Sequence, residues 1–224
     1  MTLYETDRPD GITALLFDLD GTVAETDSLH FPAWADILRE HGDLDIDRAF
    51  YQANISGRLN PEIVAEYIPG MSVEETATLV DEKEAHFRER VDGLIPTPGL
   101  LDFVSKAKEA GAILALVTNA PRANAEVVLA ALGLEDCFDE VVVADDVAAG
   151  KPDPAPYLEV LRRVGITPRE AIAFEDSKSG IASALGAGIR TVGVASTQEP
   201  EYLTDAGAFL VVEDFTDPRL RQLL

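Results

Sequence analysis

Carboxylate residues follow two short apolar segments of this sequence. Asp18 and Asp20 come after the first segment, and Glu175 and Asp176 come after a much later one. Mg²⁺ in proteins is usually held by one or two carboxylates together with water and substrate phosphate oxygens. A carboxylate can also attack phosphorus and form an aspartyl-phosphate. These residue types indicate phosphoryl transfer, with Asp18 and Asp176 as a pair of metal ligands and a carboxylate as a possible nucleophile.

Two other positions carry groups that bind phosphate oxygens. Thr118 and Asn119 supply a hydroxyl and an amide, and Lys151 supplies an ammonium group. Positive charge at such a site balances the charge that spreads over the phosphoryl oxygens in the transition state. We also expect a helix to begin at Pro121, and the backbone N–H groups at a helix N-terminus bind anions. These groups would hold the phosphate oxygens that the metal ion does not.

Asp20 has the spacing expected of an acid/base residue. It follows Asp18 by two positions, so it points to the same side of the chain if strand geometry continues. It could protonate the leaving alkoxide and then deprotonate the attacking water. These two tasks require opposite protonation states in successive half-reactions.

Each motif also has a simpler structural interpretation. Residues 18–21 and 175–176 are typical of turns or helix caps, residues 118–121 of an N-cap followed by proline, and residues 151–154 of a solvated loop. Four unrelated caps are not expected to supply metal ligands, a nucleophile and a counter-charge at one edge of a sheet. We therefore favour a single shared pocket.

Apolar segments and helical patterns alternate along most of the chain. The apolar segments are residues 12–17, 112–117, 140–144, 171–174 and 190–194, with a weaker one at 209–212. The helical patterns between them are residues 99–110, 121–132, 154–164 and 179–185. Continuous apolar segments indicate strands that are covered on both faces. The repeat predicts an α/β fold with a doubly wound, parallel, Rossmann-like sheet, at whose carboxyl edge ligands bind.

The connection after the first segment breaks this alternation. It contains no convincing strand, only helical stretches at residues 27–40, 46–54, 61–67 and 73–90. A crossover needs far fewer residues. We therefore expect an inserted all-helical cap at residues 22–92, above the end of the first strand, and a catalytic core made of residues 1–21 and 93–224.

The charge balance limits the range of partners. The chain has 41 acidic and 18 basic residues and a formal net charge of −23, which repels nucleic acid, so none is expected as a partner. No segment is apolar for long enough to span a membrane, and the first residues are acidic where a signal peptide would be basic. One cysteine, Cys137, excludes an internal disulfide framework and is expected to be a small buried filler. We expect a cytoplasmic protein, with monomer and dimer both open.

The motifs, taken in order, match a known pattern. Asp18-Leu19-Asp20-Gly21-Thr22, Val117-Thr118-Asn119, Lys151-Pro152-Asp153-Pro154 and Glu175-Asp176-Ser177 resemble the four ordered motifs of the haloacid dehalogenase superfamily. The chain is similar to the branch that carries a helical cap after the first motif. That branch contains phosphoglycolate phosphatase, small sugar phosphatases and beta-phosphoglucomutase.

The resemblance implies a role for each motif. It implies Asp18 as nucleophile, Asp20 as acid/base residue, and Thr118 and Lys151 as phosphate-binding residues. It further implies that Mg²⁺ is held by Asp18, the Asp20 carbonyl and Asp176, with Glu175 as a further ligand. The dehalogenases of the superfamily need no metal and lack the second aspartate, so Asp20 argues against dehalogenation.

The insert carries the candidates for substrate recognition. His30 resembles a histidine near the site of sugar phosphatases and beta-phosphoglucomutase, although a surface histidine on an amphipathic helix is the alternative. Arg58 lies in a segment that resembles a substrate-contacting loop and suits a distal phosphate or carboxylate, or else is solvated. Arg88 and Arg122 are weaker candidates. We expect Trp34 in the core of the cap and residues 82–90 on a solvated helix face.

The sequence thus predicts a Mg²⁺-dependent phosphatase that acts through an aspartyl-phosphate. Its substrate would be a small phosphorylated metabolite, namely a sugar phosphate, a polyol phosphate or phosphoglycolate. Because the core residues would be the same, a mutase resembling beta-phosphoglucomutase stays open. A phospho-receiver signalling module is a more distant alternative, which the helical insert and the position of the nucleophile after the first strand oppose. A metal-free hydrolase is a weaker one.

Overall fold

The computed structural model describes residues 11–224, and six parallel strands form one sheet at its centre. The strands are Ala14–Phe17 (β1), Ile113–Val117 (β2), Glu140–Val142 (β3), Ala171–Glu175 (β4), Arg190–Val194 (β5) and Leu210–Val212 (β6). Their order in the sheet is β3-β2-β1-β4-β5-β6. The predicted fold class is confirmed, with strand ends that lie within two residues of the prediction. The acidic first residues, 1–10, lie outside the described residues.

Nine α-helices are assigned within the described part of the chain. They are Asp27–Gly42 (α1), Arg48–Asn54 (α2), Asn60–Tyr67 (α3), Val73–Arg88 (α4), Leu100–Glu109 (α5), Arg122–Leu132 (α6), Ala155–Val164 (α7), Lys178–Gly186 (α8) and Pro200–Asp205 (α9). We did not predict α9, because its six residues are too few to show a helical repeat. The helix predicted from residue 46 begins at Arg48 because the Asp47 carboxylate accepts a hydrogen bond from Phe50 N and caps it.

Alternate residues of β1 face opposite sides of the sheet. Leu15 and Phe17 pack into an apolar cluster with α5 and α6, whereas Ala14 and Leu16 pack into a second cluster with α7 and α8. All four side chains are fully buried. Two covered faces therefore explain why this strand is continuously apolar in sequence, as a doubly wound sheet requires.

The helices α1–α4, which we call the insert, lie between β1 and α5 in sequence. They bury an apolar cluster of their own, made of Trp34, Leu38, Tyr51, Ile55, Ile63, Val64, Ile68 and Leu79. The prediction that Trp34 belongs to this core is confirmed. The domain boundaries at residues 21/22 and 92/93 stay a prediction.

The prediction for one helix face in the insert is wrong. Residues 82–90 were expected on a solvated face, but Lys83, Glu84 and Phe87 on α4 are at most 5% exposed. They are covered because α4 packs against α1, α3 and α6. Charged residue types at helical spacing suggest solvent, and no local pattern marks the elements that cover them. Among the described residues, no helix is both long enough and apolar enough to cross a bilayer.

Candidate active site

The order of the strands places the first motif at the centre of the carboxyl edge. The central strand, β1, lies between β2 and β4, which is where the direction of strand order reverses and where open α/β sheets bind ligands. Asp18 N donates to Phe174 O of β4 at 3.0 Å. Asp18, Thr118, Lys151 and Asp176 consequently line one cavity, together with side chains of the insert.

Lys151 is the central cation of this edge. Its ammonium is 3% exposed and lies 2.5 Å from Asp18 Oδ1, 2.6 Å from Glu175 Oε1 and 2.6 Å from the Val117 carbonyl oxygen. Burial alone would lower the pKa of Lys151, but the charges of Asp18 and Glu175 outweigh burial and raise it. Lys151 therefore stays charged, directly beside the predicted nucleophile.

Three buried carboxylates could hold a metal ion. Asp18, Glu175 and Asp176 each offer an oxygen, and these atoms all lie within 4.8 Å of one another. Burial raises the pKa of Asp18 to about 8, against the effect of Lys151 and with the charges of Glu175 and Asp20 adding to the rise. Burial also raises the pKa of Asp176 well above its usual value. Such a crowded set of acids is stabilised as carboxylates when a cation binds.

Neighbouring groups fix the orientation of these carboxylates. Tyr157 donates to Glu175 Oε1 at 2.6 Å, and Thr197 donates to Asp176 Oδ2 at 2.6 Å. Gly21 has φ +82°, and a Cβ atom there would lie 2.1 Å from Asp176 Oδ2. Glycine is therefore required beside these clustered carboxylates both by backbone conformation and by space. Sequence reasoning missed Tyr157 and Thr197, which lie 18 and 21 positions from the carboxylates that they bond.

Asp20 lies at the edge of the same cavity, next to two residues from the start of the insert. Thr26 Oγ1 donates to its Oδ1 at 2.6 Å, and His30 Nε2 lies 3.7 Å from that oxygen. Burial would raise the pKa of Asp20, but the interactions with His30 and Thr26 outweigh burial and lower it. The structure thus brings His30 to the acid/base candidate rather than to the protein surface.

The second motif divides into two parts with different environments. The Thr118 hydroxyl, 1% exposed, accepts a hydrogen bond from Ala120 N and keeps its own hydrogen for a ligand in the cavity. The Asn119 amide instead bonds to the backbone of Lys151 and to the Gly57 carbonyl of the insert, so both of its hydrogens have acceptors. In this arrangement Asn119 positions the Lys151 loop.

One N–H group of the helix N-terminus expected near the phosphate already has an acceptor in the protein. The Arg122 backbone N–H of α6 donates to Asp145 Oδ2 at 2.9 Å, and the Arg122 guanidinium binds Asp146 at 2.8 Å. The prediction of anion binding by this N–H is not supported, because an acidic turn after β3 reaches it first. Arg122 does not line the cavity.

The arginines of the insert are also committed to partners. Arg58 lines the cavity, but its guanidinium binds Glu66 at 2.8 Å and the Asn54 carbonyl at 2.9 Å. Arg88 donates to Asn124 Oδ1 at 2.8 Å. Lys83 and Glu84, which the sequence pattern places in solvent, instead form part of the cavity wall.

Comparison with known proteins identifies the family that this geometry indicates. Residues 15–194 match the haloacid dehalogenase-like hydrolase family. The chain belongs to that family. It is 32% identical over 208 residues to validoxylamine A 7'-phosphate phosphatase of Streptomyces hygroscopicus subsp. limoneus, covering 91% of this chain and 94% of the relative.

Two further relatives define the neighbourhood within the family. A phosphorylated carbohydrates phosphatase of Thermotoga maritima is 33% identical over 211 residues, covering 89% of this chain and 94% of the relative. The crystal structure of beta-phosphoglucomutase from Clostridium difficile is 27% identical, with a TM-score of 0.81 and coverage of 91% and 92% of the two chains. The chain is a phosphatase of the haloacid dehalogenase family, in agreement with its resemblance to this superfamily.

Proposed function

We propose that this phosphatase is Mg²⁺-dependent and hydrolyses a small phosphorylated sugar or polyol through an aspartyl-phosphate on Asp18. The observation that carries the proposal is the contact between Asp18 and Lys151 beside three clustered carboxylates. An ammonium 2.5 Å from a carboxylate offsets the repulsion that an approaching phosphate ester would otherwise meet. The relative named as a phosphorylated carbohydrates phosphatase supports this substrate class.

The residues present fit Mg²⁺. The cluster of Asp18, Glu175 and Asp176 offers only oxygen donors, which is the chemistry that Mg²⁺ selects. Glu175 Oε2 is buried without a hydrogen-bond partner, so an oxygen of this cluster is unsatisfied. Asp18 and Asp176 would hold the ion, with the Asp20 carbonyl and Glu175 as further ligands. When bound, the ion would supply positive charge that draws the substrate phosphate towards this edge.

The first half-reaction uses Asp18 and Asp20. An Asp18 carboxylate oxygen attacks phosphorus, the bond from phosphorus to the ester oxygen breaks, and the leaving oxygen takes a proton from Asp20. Lys151 and the Thr118 hydroxyl hold the phosphoryl oxygens while charge moves onto them. Asp20 must be protonated at this step, and the negative charge of a bound phosphate ester raises the pKa of a nearby carboxyl.

The second half-reaction releases phosphate and restores the enzyme. Water attacks phosphorus, gives its proton to Asp20, and the bond from phosphorus to Asp18 breaks. This step needs Asp20 as a carboxylate, the form that its lowered pKa favours. Thr26 and His30 hold that carboxylate in place.

A phosphosugar mutase is the second candidate, and the fold shared with beta-phosphoglucomutase favours it. A mutase would use the same core residues but return the phosphoryl group to another hydroxyl. The distant alternative, a phospho-receiver module, has no support from the family to which the chain belongs.

A phosphate-release screen tests the proposal. The panel is sugar phosphates, polyol phosphates, phosphoglycolate and nucleotides, each with Mg²⁺ and with excess chelator. We expect orthophosphate from sugar or polyol phosphates only when Mg²⁺ is present. Conversion of a hexose 1-phosphate with a bisphosphate primer, without release of orthophosphate, would establish the mutase instead. Undiminished release in chelator would rule out the metal dependence.

A further inference from the structure

A buried ion pair lines the same cavity as the sheet edge, and the proposed reaction does not use it. Lys83 and Glu84 are consecutive residues of α4, only 4% and 5% exposed, and Lys83 Nζ lies 2.7 Å from Glu84 Oε1. Both line the cavity that contains Asp18, as do Asn60 and Asn124. We call Asn60, Lys83, Glu84 and Asn124 the polar wall.

Hydrogen bonds hold the polar wall in one arrangement. Glu84 Oε1 accepts from Asn60 Nδ2 at 2.5 Å, and Glu84 Oε2 accepts from Asn124 Nδ2. Lys83 Nζ also lies 3.0 Å from His30 Nδ1 and 5.5 Å from the centre of the Trp34 ring. Buried charges that are paired and hydrogen-bonded have fixed positions, because leaving either one unpaired costs several kcal/mol.

The cations of the polar wall and its surroundings are already neutralised. Within the described chain, the insert brings two permanent cations to the cavity, Lys83 and Arg58, and these bind the carboxylates of Glu84 and Glu66. Asp27 of the insert also lines the cavity and supplies only an acid. Both of these cations are therefore already paired with carboxylates and are not available to a second anionic group on the substrate. The charge of Glu84 would also repel that group at short range.

A hydroxyl group suits the polar wall much better. It can donate to a carboxylate and accept from an ammonium or an amide at the same time. Lys83, Glu84 and the two asparagines present both kinds of partner side by side, which matches neighbouring hydroxyl groups on a carbon chain or ring. A phosphate or carboxylate offers acceptors only, so it could accept from the ammonium or an amide but would donate nothing to the Glu84 carboxylate.

We propose that the polar wall selects monophosphate esters of neutral polyhydroxylated molecules, with Glu84 as the residue that excludes a second anionic group. The inference rests on the proposed phosphatase function. It narrows the substrate class by excluding sugar bisphosphates and phosphorylated acids, phosphoglycolate among them.

Matched substrate pairs test this selection. Fructose 1-phosphate is compared with fructose 1,6-bisphosphate, and glucitol 6-phosphate with 6-phosphogluconate, by kcat/KM for orthophosphate release with Mg²⁺. We expect the wild type to prefer the first member of each pair, which has one anionic group, by at least about 10-fold. In Glu84→Gln the uncompensated ammonium of Lys83 should reduce this preference by about 10-fold, mainly through a lower KM for the second member.

Two further variants make the test specific. Glu82→Gln removes the same charge from an exposed position on the same helix and should leave both preferences unchanged. The double variant Lys83→Met, Glu84→Gln removes the repulsion by Glu84 but leaves no uncompensated ammonium, so its preference against bisphosphate should lie between those of the wild type and Glu84→Gln. Its KM for the monophosphates should rise, because the hydroxyl partners are gone.

The results separate the two levels of the proposal. Release from monophosphates by a wild type that uses the bisphosphate and the phosphorylated acid equally well would overturn the polar-wall inference and leave the phosphatase function intact. An unchanged preference in a folded Glu84→Gln protein would overturn it as well. No release from any ester would overturn the proposed function together with the inference.

Discussion

The sheet edge and the polar wall line the same cavity, yet their charges are arranged in opposite ways. At the edge, Asp18, Glu175 and Asp176 crowd around the ammonium of Lys151, and burial raises the pKa of Asp18 to about 8. At the wall, each charge has one partner and the hydrogen bonds are made within the protein. The buried acids at the edge therefore outnumber the cation beside them, whereas the charges at the wall are balanced within the protein.

This difference assigns separate tasks to the two surfaces. An incomplete set of acids and one cation can take up a metal ion and a phosphate, and its groups change protonation or bonding during turnover. The balanced charges of the polar wall do not change during turnover, so the wall can discriminate between substrates by the hydrogen bonds that they offer. Substitutions at the edge should therefore reduce kcat, and substitutions at the wall should change the ranking of substrates.

The largest effect is expected at the nucleophile. Asp18→Asn removes the attacking oxygen while keeping the shape of the side chain, so turnover should fall by at least about 10³-fold. Orthophosphate release measures turnover, and circular dichroism with a melting curve checks that the fold is retained. The matched control is Asp81→Asn, an exposed acid of the insert that should keep full activity. A folded Asp18→Asn protein with wild-type turnover would contradict the mechanism.

The acid/base residue should affect two steps rather than one. In Asp20→Asn both formation and breakdown of the phosphoenzyme should slow by about 10²-fold, because the leaving oxygen loses its proton donor and the attacking water its proton acceptor. Rapid-quench measurement resolves the two rates. Normal breakdown of the intermediate in this variant would remove Asp20 from the second half-reaction.

A buried acid of the insert provides a test that involves pH. Burial raises the pKa of Asp27, and Asp27 Oδ2 has no hydrogen-bond partner among the described residues. Between about pH 4, where the unfolded carboxyl loses its proton, and the raised pKa, the folded state binds more protons. The contribution of Asp27 to the free energy of unfolding therefore falls as pH rises.

Asp27→Asn should lack this dependence. As pH rises from about 4 to 7, the melting temperature of the variant should increase relative to that of the wild type. Melting curves of both proteins in chelator, at matched salt, measure the difference. A difference that stays constant over this range would show that Asp27 titrates as an ordinary exposed acid.

The smallest effect is expected at the start of the helix that carries the wall. The Ser72 hydroxyl accepts a hydrogen bond from Glu75 N, and the Glu75 carboxylate accepts one from Ser72 N, which forms a capping box. Ser72→Ala should lower the free energy of unfolding by about 1 kcal/mol. Chemical denaturation measures this loss. Substrate preference should not change, and a changed preference would mean that the wall depends on helix stability rather than on its own contacts.

The residues of the sheet edge could be predicted from the sequence much more completely than those of the polar wall. Asp18, Thr118 and Asp176 lie directly after the ends of parallel strands. A correct prediction of the strands therefore also predicts that these side chains lie close together. No comparable rule predicts the polar wall from the sequence, because Lys83 and Glu84 become buried only when α4 packs against α1, α3 and α6. Their residue types pointed to solvent, and only tertiary contacts reverse that expectation.

The same distinction holds for supporting residues. Tyr157 and Thr197 donate to Glu175 and Asp176 across 18 and 21 positions of the chain, and no local pattern marks them as partners of these carboxylates. The Asp145 side chain accepts a hydrogen bond from the first amide of α6 across a gap of 23 positions, so this one N–H group is not available to a ligand. The local sequence pattern predicts which groups lie at the end of a strand. Tertiary contacts determine which of those groups already have a partner in the protein and which can bind a ligand.

Trapping the covalent intermediate tests the central claim most directly. Enzyme with Mg²⁺ is mixed with a ³²P-labelled sugar monophosphate, quenched in acid within milliseconds and digested, and the labelled peptide is sequenced. The account predicts label that hydroxylamine releases, on the peptide containing Asp18, with a longer lifetime in Asp20→Asn. Full turnover without protein-bound label, or label on any other residue, would contradict it.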